Sequence, residues 1–275
     1  MTIDLHLHTT ASDGRCSPRE LVDRVARAGV TVMAVTDHDT TAAISEVEAV
    51  AAERGIDVVA GIEVTAVENG RDVHILGYFI DPANVTLAGF LARQRAQRIA
   101  RVQAIGDRLA LLGIPVDIKP ILKQASDDGG CSVGRPQIAR AMIAAGHVRD
   151  TREAFDEWLA AGRPAYVSRA GAPPEDVIGV IHEAGGLASL AHPGQTGVDA
   201  RISVYQAAGL DALEIYHPDH DAVLTERYRT LAAVLGLAET GGSDFHGDPS
   251  HGWEPGAVTL PADAWQRLRD AAPHA

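Results

Sequence analysis

Short apolar runs alternate with amphipathic segments along most of this chain. The runs predict seven strands, at residues 3–6, 30–35, 57–60, 73–79, 186–191, 212–216 and 237–240. After the first run, Ser17, Pro18 and Glu20 match a capping box with proline at the first helical position, which predicts a helix. Thr40 or Thr41 is expected to cap the next helix. Strands that alternate with helices in this way are typical of parallel βα units, and seven of them favour an α/β barrel over a doubly wound sheet.

The alternation breaks between residues 86 and 167. A long amphipathic helix is predicted over residues 86–112, and shorter helices near 136–145 and 152–160, with no convincing strand between them. We therefore expect a barrel made of residues 1–85 and 168–275. The helical insertion, residues 86–167, is expected to cover the carboxyl ends of the barrel strands.

Composition narrows the range of functions. The 275 residues carry 24 Lys and Arg against 37 Asp and Glu, a net charge of −13, which argues against nonspecific binding to long nucleic acid. Bound metal ions could still attract a small phosphorylated substrate. No apolar run has the length of a membrane span and no signal peptide is recognisable, so we expect a cytoplasmic protein without membrane contact. Cys16 and Cys131 are too far apart for a C-x-x-C motif and are predicted to be free thiols.

Histidines and carboxylates recur where the predicted strands end, a position that forms the active-site face of a barrel. They are His6, His8 and Asp13 after the first strand, Asp37, His38 and Asp39 after the second, Glu63 after the third, His192 after the fifth, His217 and His220 after the sixth, and Asp244 and His246 after the seventh; His74 falls on the fourth strand. Side chains alternate along a strand, so His-x-His and Asp-x-His each direct two groups to one side.

Imidazole and carboxylate groups together suit Zn, Mn and Fe(II). The predicted metal ligands are His6, His8, Asp13, His38, Glu63, His74, His192, Asp244 and His246. Three carboxylates and three divalent ions give a charge of 6 − 3 = +3, which a hydroxide and a phosphate dianion would neutralise. The ligand inventory therefore favours hydrolysis of phosphate esters.

The motifs resemble those of the PHP (polymerase and histidinol phosphatase) superfamily. They are Asp4-Leu-His-Leu-His8, Ser12-Asp13-Gly14, Thr36-Asp37-His38-Asp39, Gly61-Ile-Glu63, His74-Ile-Leu-Gly77, Ala191-His192-Pro193 and Gly242-Ser-Asp244-Phe-His246. The resemblance covers nearly the whole chain. It implies a distorted, TIM-like (β/α)7 barrel with two to three ions of Mn, Fe or Zn.

The resemblance also implies a role for each ligand. His6, His8, Glu63 and Asp244 would hold one ion; Glu63 would bridge to a second ion that His74 and His192 also hold; Asp13, His38 and His246 would hold the third. Glu63, Asp13 and His192 are accordingly the expected catalytic residues, with His220 as a candidate general acid. Asp37 and Asp39 are expected to orient imidazoles.

Several other residues are candidates for contact with substrate. Arg95 and Arg98 share a helix face, and the relatives use an Arg-x-x-Arg pair here to hold phosphate. Arg135 opens a helix whose N-terminus would favour an anion. Gln137 stands where the relatives often have histidine. His217 and His220 lie on the barrel face that carries the ligands, whereas His147, His182, His251 and His274 are predicted to be surface residues.

The resemblance implies a small bacterial phosphoesterase of the kind that acts on AMP, nucleoside 3′,5′-bisphosphates or short RNA 5′ ends. We expect hydrolysis of phosphate monoesters of small nucleotides. The alternatives are a phosphodiesterase for cyclic sugar phosphates or an exonuclease for short RNA, and a catalytically silent metal-binding module. The complete ligand set argues against the silent module. No protein partner is implied.

Overall fold

Seven strands form one curved sheet in this computed structural model, which describes residues 1–127, 130–249 and 252–273. The strands are β1 (Ile3–Asp4), β2 (Val32–Val35), β3 (Asp57–Glu68), β4 (Arg71–Tyr78), β5 (Leu187–Leu190), β6 (Ala212–Tyr216) and β7 (Ala238–Gly241). Their spatial order follows the chain. Leu7 pairs with Phe245 just beyond β1 and β7, so the sheet curves into a nearly closed barrel. The predicted α/β barrel is confirmed.

One strand runs against the others. β4 is antiparallel to both β3 and β5, whereas the remaining pairs are parallel. Glu68 pairs with Arg71, so a two-residue turn joins β3 to β4, and Asn69 and Gly70 both have positive φ, as a hairpin turn of the primed type requires. The expectation that Glu63 follows the third strand is therefore wrong. β3 continues past it, and Glu63 lies in the middle of the strand.

The barrel helices are α1 (Pro18–Arg27), α2 (Ile44–Ala52), α7 (Pro174–Glu183), α8 (Pro193–Thr196), α9 (Ile202–Ala207), α10 (Ala222–Leu235) and α11 (Ala262–Asp270). The capping box at Ser17 and Glu20 is confirmed. The cap predicted for α2 is wrong: Ala43 holds the N-cap position, and the Thr40 hydroxyl instead donates to the Gly130 carbonyl at 2.6 Å.

Among the described residues, four helices lie between β4 and α7: α3 (Val85–Leu111), α4 (Lys119–Asp127), α5 (Arg135–Ala144) and α6 (Thr151–Ala154), the last continued by a π-helical turn, Phe155–Leu159. The described part of residues 86–167 contains no strand. Leu87 and Phe90 of α3 belong to the barrel core, whereas Val102, Ile138 and Met142 belong to a separate apolar cluster. These observations fit the helical insertion, whose boundaries at 86 and 167 stay a prediction.

None of the helices among the described residues combines the length and apolar character that a bilayer span requires. His147 and His182 lie near the surface, as predicted, and the His251 and His274 predictions fall outside the described residues.

Candidate metal centre

The nine residues predicted to bind metal converge in one cluster. Ligand atoms within 4.8 Å of one another form three groups: His6, His8 and Asp244; His8, Asp13, His38 and His246; and His38, Glu63 and His74. His192 joins the third group, because its Nε2 lies 3.1 Å from Glu63 Oε1. The structure thus brings together every predicted ligand, from six separate segments of the chain.

Glu63 is at the centre of this cluster and is almost fully buried. Its Oε2 lies 3.3 Å from Nε2 of His6 and of His8 and 3.0 Å from Nδ1 of His38, and its Oε1 lies 2.7 Å from His74 Nδ1 and 3.1 Å from His192 Nε2. Each carboxylate oxygen faces a different set of imidazoles. This geometry suits a carboxylate that bridges two ions.

The chemistry of the cluster fits divalent ions. Carboxylate oxygens lie near several of these imidazoles, but both ring nitrogens of His8 and Nδ1 of His38, His74 and His192 are buried and make no hydrogen bond of acceptable geometry. A buried polar atom left unpaired costs about 1–3 kcal/mol, a loss that coordination would remove. Burial opposes ionisation of Glu63, but the neighbouring His74 and His6 imidazoles hold its pKa well below its usual range. Burial lowers the pKa of His38 to about 3, which keeps this imidazole neutral.

Glu214 of β6 supports two of the ligand residues and was missed by the sequence reasoning. Its Oε1 lies 2.8 Å from His6 Nδ1, and its Oε2 accepts from the His192 backbone N–H at 2.7 Å. This bond helps to hold His192 at a φ of 25°, a conformation rare for a non-glycine residue. The available signal was a glutamate inside the apolar run Ala212–Tyr216.

Asp4 performs a similar task on the other side of the cluster. It is fully buried and accepts from the backbone N–H and hydroxyl of Ser243, at 2.9 and 2.6 Å, and from the Gly256 N–H at 2.7 Å. Asp244 follows directly with a φ of 48°. Asp4 therefore fixes the segment that presents Asp244 to the cluster.

Contrary to expectation, the two aspartates beside His38 do not hydrogen-bond to any imidazole among the described residues. Asp37 accepts from the backbone and hydroxyl of Thr9, at 2.8 and 2.6 Å. Asp39 is fully buried and pairs with Arg98 at 2.5 Å and Arg169 at 2.9 Å. Asp37 thus organises a loop, and Asp39 organises a pair of arginines.

Arg95 and Arg98 share a face, as predicted, but that face is turned toward Asp39. Arg95 donates to the Asp39 carbonyl at 3.1 Å and lines neither cleft described below. The Arg98 guanidinium also donates to the Thr65 hydroxyl at 2.8 Å and to the Val133 carbonyl at 3.3 Å. Both arginines are therefore hydrogen-bonded mainly to other protein groups, which leaves them few donors for a ligand.

A narrow cleft of about 100 Å³ opens beside His38 and His74. Four arginines line it: Arg98, Arg101, Arg135 and Arg169. Asp72 pairs with Arg101 at 3.2 Å and with Arg135 at 3.0 Å. Arg101 Nη2 and Arg169 Nε are buried without a hydrogen-bond partner. Arg135 was a predicted contact residue, whereas Arg101 and Arg169 were not.

A wider cleft of about 420 Å³ lies between the barrel and the helical insertion. Its lining includes the aromatic residues Phe155, Phe245 and Trp253, the cations Arg140 and Arg152, and the predicted ligands Asp13, Asp244 and His246. Asp13 lines both clefts, so the cluster of metal ligands lies where they meet.

Three other candidate contact residues differ in what they can offer. His217 lines the wide cleft; its Nδ1 accepts from the Asp219 N–H at 3.1 Å, and its Nε2 lies 3.4 Å from Asp244 Oδ2. Both ring nitrogens of His220 are engaged with backbone, the Gly194 N–H and the Ile215 carbonyl, which leaves none for a substrate. Gln137 is buried and bonded to backbone at both ends of its amide. The structure therefore gives no support to a catalytic role for His220 or to substrate contact by Gln137.

A barrel that gathers buried imidazoles and carboxylates beside an arginine-lined cleft defines a metal-dependent phosphoester hydrolase. The sequence profile of the PHP domain matches residues 4–88. Over 259 residues the chain is 36% identical to the 3′,5′-nucleoside bisphosphate phosphatase of Chromobacterium violaceum, covering 92% of this chain and 90% of that protein. The chain belongs to the PHP domain family.

Two further comparisons agree with this placement. The chain is 37% identical to a 5′-3′ exoribonuclease of Haemophilus influenzae, with 88% of this chain and 89% of that protein covered. The solved structure of an amidohydrolase from Chromobacterium violaceum, with bound sulfate and no metal, matches with a TM-score of 0.88 at 35% identity, covering 98% of this chain and 96% of that one.

Proposed function

We propose that this enzyme hydrolyses phosphate monoesters of small nucleotides, of the nucleoside 3′,5′-bisphosphate or AMP type, with two or three Mn, Fe or Zn ions. The observation that carries the proposal is the meeting of two unlike clefts at one cluster of metal ligands. A nucleotide has two unlike parts, an anionic phosphate and an aromatic base, and each cleft suits one of them.

The narrow cleft has the charge and the donors for a phosphate group. Four guanidinium groups, set against the carboxylates of Asp39 and Asp72 that pair with them and of Asp13 in the lining, leave 4 − 3 = +1. The unpaired N–H groups of Arg101 and Arg169 would gain partners from phosphate oxygens. A charge-assisted hydrogen bond of this kind contributes roughly 1.5–3 kcal/mol. The volume of about 100 Å³ is too small for a nucleoside.

The wide cleft suits the nucleoside. Its volume of about 420 Å³ is within the usual range for small-molecule sites. Trp253 and Phe155 provide aromatic surfaces for a base, and stacking on such a surface contributes roughly 1–3 kcal/mol per base. Arg140 and Arg152 also line this cleft, together with five aspartates.

The protein residues then have distinct roles. Bound ions would lower the pKa of a water molecule and neutralise charge on the phosphoryl oxygens. Glu63, Asp13 and His192 would hold them, and Glu214 would keep His6 and His192 in place. His217 is the proposed hydrogen-bond donor to the leaving oxygen. Its Nδ1 accepts from the Asp219 N–H, so its own proton is on Nε2, which faces Asp244 at the wide cleft.

A second candidate function is hydrolysis of short RNA from its 5′ end. The wide cleft lies open between the barrel and the helical insertion, and the relative from Haemophilus influenzae is an exoribonuclease. A phosphodiesterase for cyclic sugar phosphates and a catalytically silent module are the remaining alternatives. Each alternative predicts a different preferred substrate, and the silent module predicts no turnover of any substrate.

A substrate panel separates these functions. Protein stripped with a chelator and reloaded with Mn²⁺ is assayed with adenosine 3′,5′-bisphosphate, AMP, a cyclic sugar phosphate, a short 5′-phosphorylated RNA and p-nitrophenyl phosphate. We expect the highest kcat/KM with the bisphosphate or AMP. Higher values with RNA or the cyclic ester would favour an alternative, and no turnover of any substrate would favour the silent module.

Arg101→Met tests the use of the narrow cleft. It keeps the aliphatic stem of the side chain and removes the unpaired donors, so kcat/KM for the bisphosphate should fall about ten- to a hundred-fold. p-Nitrophenyl phosphate, which has one phosphate, should lose much less. Arg93→Met, on an exposed position of the same helix, is the matched control. An equal fall for both substrates in a folded variant would show that the two-phosphate arrangement is wrong.

A further inference from the structure

The loop between β1 and α1 carries Asp13, and the helical insertion holds its outer edge. Four consecutive carbonyls accept hydrogen bonds from the insertion: Thr10 from Gln124 Nε2 at 3.2 Å, Ala11 from the Ser132 N–H at 2.8 Å, Ser12 from Gln137 Nε2 at 2.7 Å, and Asp13 from Arg140 Nη1 at 3.0 Å. We call residues 9–14 the ligand loop. Every carbonyl from residue 10 to residue 13 is thus bonded to one structural unit.

The barrel holds the inner edge of the same loop. The Asp37 carboxylate accepts from the Thr9 N–H and hydroxyl and from the Ser12 hydroxyl. At Gly14 the backbone passes so close to His8 that a Cβ would lie 2.6 Å from the His8 carbonyl. The ligand loop is therefore fixed between two units, and neither unit alone holds both of its edges.

Asp13 lies on this loop, whereas Glu63 lies inside a paired strand. It is the single carboxylate in the group formed with His8, His38 and His246, where its oxygens lie 3.3 Å from His246 Nε2 and 3.5 Å from His38 Nε2. Glu63 is held by the hydrogen bonds of β3 with its neighbouring strands. His8, which precedes the loop, is held separately by the hydrogen bond from its backbone N–H to the Phe245 carbonyl at 3.0 Å. A shift of the ligand loop would consequently affect the site of Asp13 more than the other ion sites.

We propose that the helical insertion is a structural part of the metal centre: through Gln137 and Arg140 it positions the ligand loop and sets the affinity of the ion held by Asp13, His38 and His246. The inference rests on the metal centre of the proposed function. Gln137 is suited to this role because the Gly134 N–H donates to its Oε1 at 2.9 Å, which orients its NH₂ group toward the Ser12 carbonyl. Arg140 also lines the wide cleft, so this contact joins the ion site to the substrate site.

The test is a titration of metal-free protein with Mn²⁺, with the ions bound per chain measured by equilibrium dialysis. Gln137→Met and Arg140→Met each remove one contact to the ligand loop. We expect one ion of the wild-type set to lose affinity by about ten- to a hundred-fold, the range for residues that support metal ligands, while the remaining ions keep theirs.

Matched controls come from α3, another helix of the helical insertion. Gln94→Met removes a buried glutamine whose Nε2 donates to the Thr65 carbonyl at 2.6 Å, and Arg108→Met removes a bond to the Pro164 carbonyl. Neither residue contacts the ligand loop, so neither control should weaken a single ion selectively.

Three results would overturn the inference: unchanged binding in folded variants, an equal loss at all ions, or the same selective loss in the controls. If Gln137→Met does not fold, Arg140→Met, at a partly exposed position, decides the matter by the same criteria. Because metal binding is measured without substrate, failure of this inference is distinguishable from failure of the proposed nucleotide specificity.

Discussion

Replacing Glu214 with glutamine tests how the barrel orients its imidazoles. The carboxylate accepts two hydrogen bonds at once, from His6 Nδ1 and from the His192 backbone N–H. A glutamine of the same shape has one accepting oxygen and one donating NH₂ group. It can therefore satisfy only one of the two donors, and the other N–H is left buried and opposed by a second donor.

The expected loss follows from these contacts. Glu214 accepts a hydrogen bond from His6 Nδ1, which places the ring proton on Nδ1 and leaves Nε2 free for metal. Loss of this bond would no longer fix either the tautomer or the orientation of the ring. Residues that support a metal-ligating histidine typically contribute ten- to a hundred-fold to affinity, equivalent to roughly 1.4–2.7 kcal/mol. The unpaired N–H should also lower the free energy of unfolding of the metal-free protein by about 1–3 kcal/mol.

Titration of the metal-free Glu214→Gln protein with Mn²⁺, combined with urea unfolding, measures both effects. Glu239→Gln is the matched control on the adjacent strand, because Glu239 accepts from the Tyr216 hydroxyl and lies away from the metal ligands. We expect the control to bind Mn²⁺ as the wild type does. Wild-type metal affinity in Glu214→Gln would refute the role of Glu214, and an equal loss in both variants would indicate a general effect of charge.

Three other predictions concern the arginine pair, protonation and the base. Asp39→Asn should lower the free energy of unfolding in urea by about 3–5 kcal/mol because two arginines lose their buried partner. Asp23→Asn, in a partly exposed pair with Arg54, should lower it much less; similar losses would contradict this. Burial opposes protonation of His8, but the surrounding carboxylates outweigh it and raise the pKa of His8 to about 10. His8 is therefore protonated at pH 7 in the metal-free protein, so Mn²⁺ should displace a proton on binding and bind more weakly as the pH falls. Calorimetry in buffers of different ionisation enthalpy would disprove this if no proton is released. Trp253→Ala should lower kcat/KM for AMP by about 5- to 150-fold, the equivalent of lost stacking, with little change for ribose 5-phosphate; equal changes would exclude a contact with the base.

Local pattern in the sequence was sufficient for most elements and for naming the residues that converge in the cluster. The fifth, sixth and seventh strands lie within about a residue or two of their predicted positions, because short apolar runs between polar turns have few other interpretations. His-x-His at residues 6 and 8 directs both imidazoles to one side on the basis of strand geometry alone. The residues that converge in the cluster could therefore be named from the sequence, although their binding of metal stays a prediction.

The sequence pattern did not predict that β4 is antiparallel to its neighbours. Side chains alternate with period two in parallel and antiparallel strands alike, so the run at residues 73–79 predicted a strand without a direction. Asn69-Gly70 was a usable signal, since this dipeptide favours a two-residue hairpin turn. The hairpin moves Glu63 into the middle of a long strand and places Thr65 beside His74.

Only the tertiary structure decided which polar side chains are hydrogen-bonded within the protein and which keep groups available for a substrate. Arg98, Arg101 and Arg169 are equally charged in the sequence, yet Arg98 is occupied by Asp39, Thr65 and Val133, whereas Arg101 and Arg169 retain unpaired donors. Gln137 and His220 are likewise occupied by backbone groups. These partners are mostly distant along the chain, 59 residues for Arg98 and Asp39 and 125 for Gln137 and Ser12. Whether a side chain is available to bind a substrate depends on the contacts it makes in the folded protein. Those contacts join residues far apart in the sequence, so the local sequence pattern does not predict them.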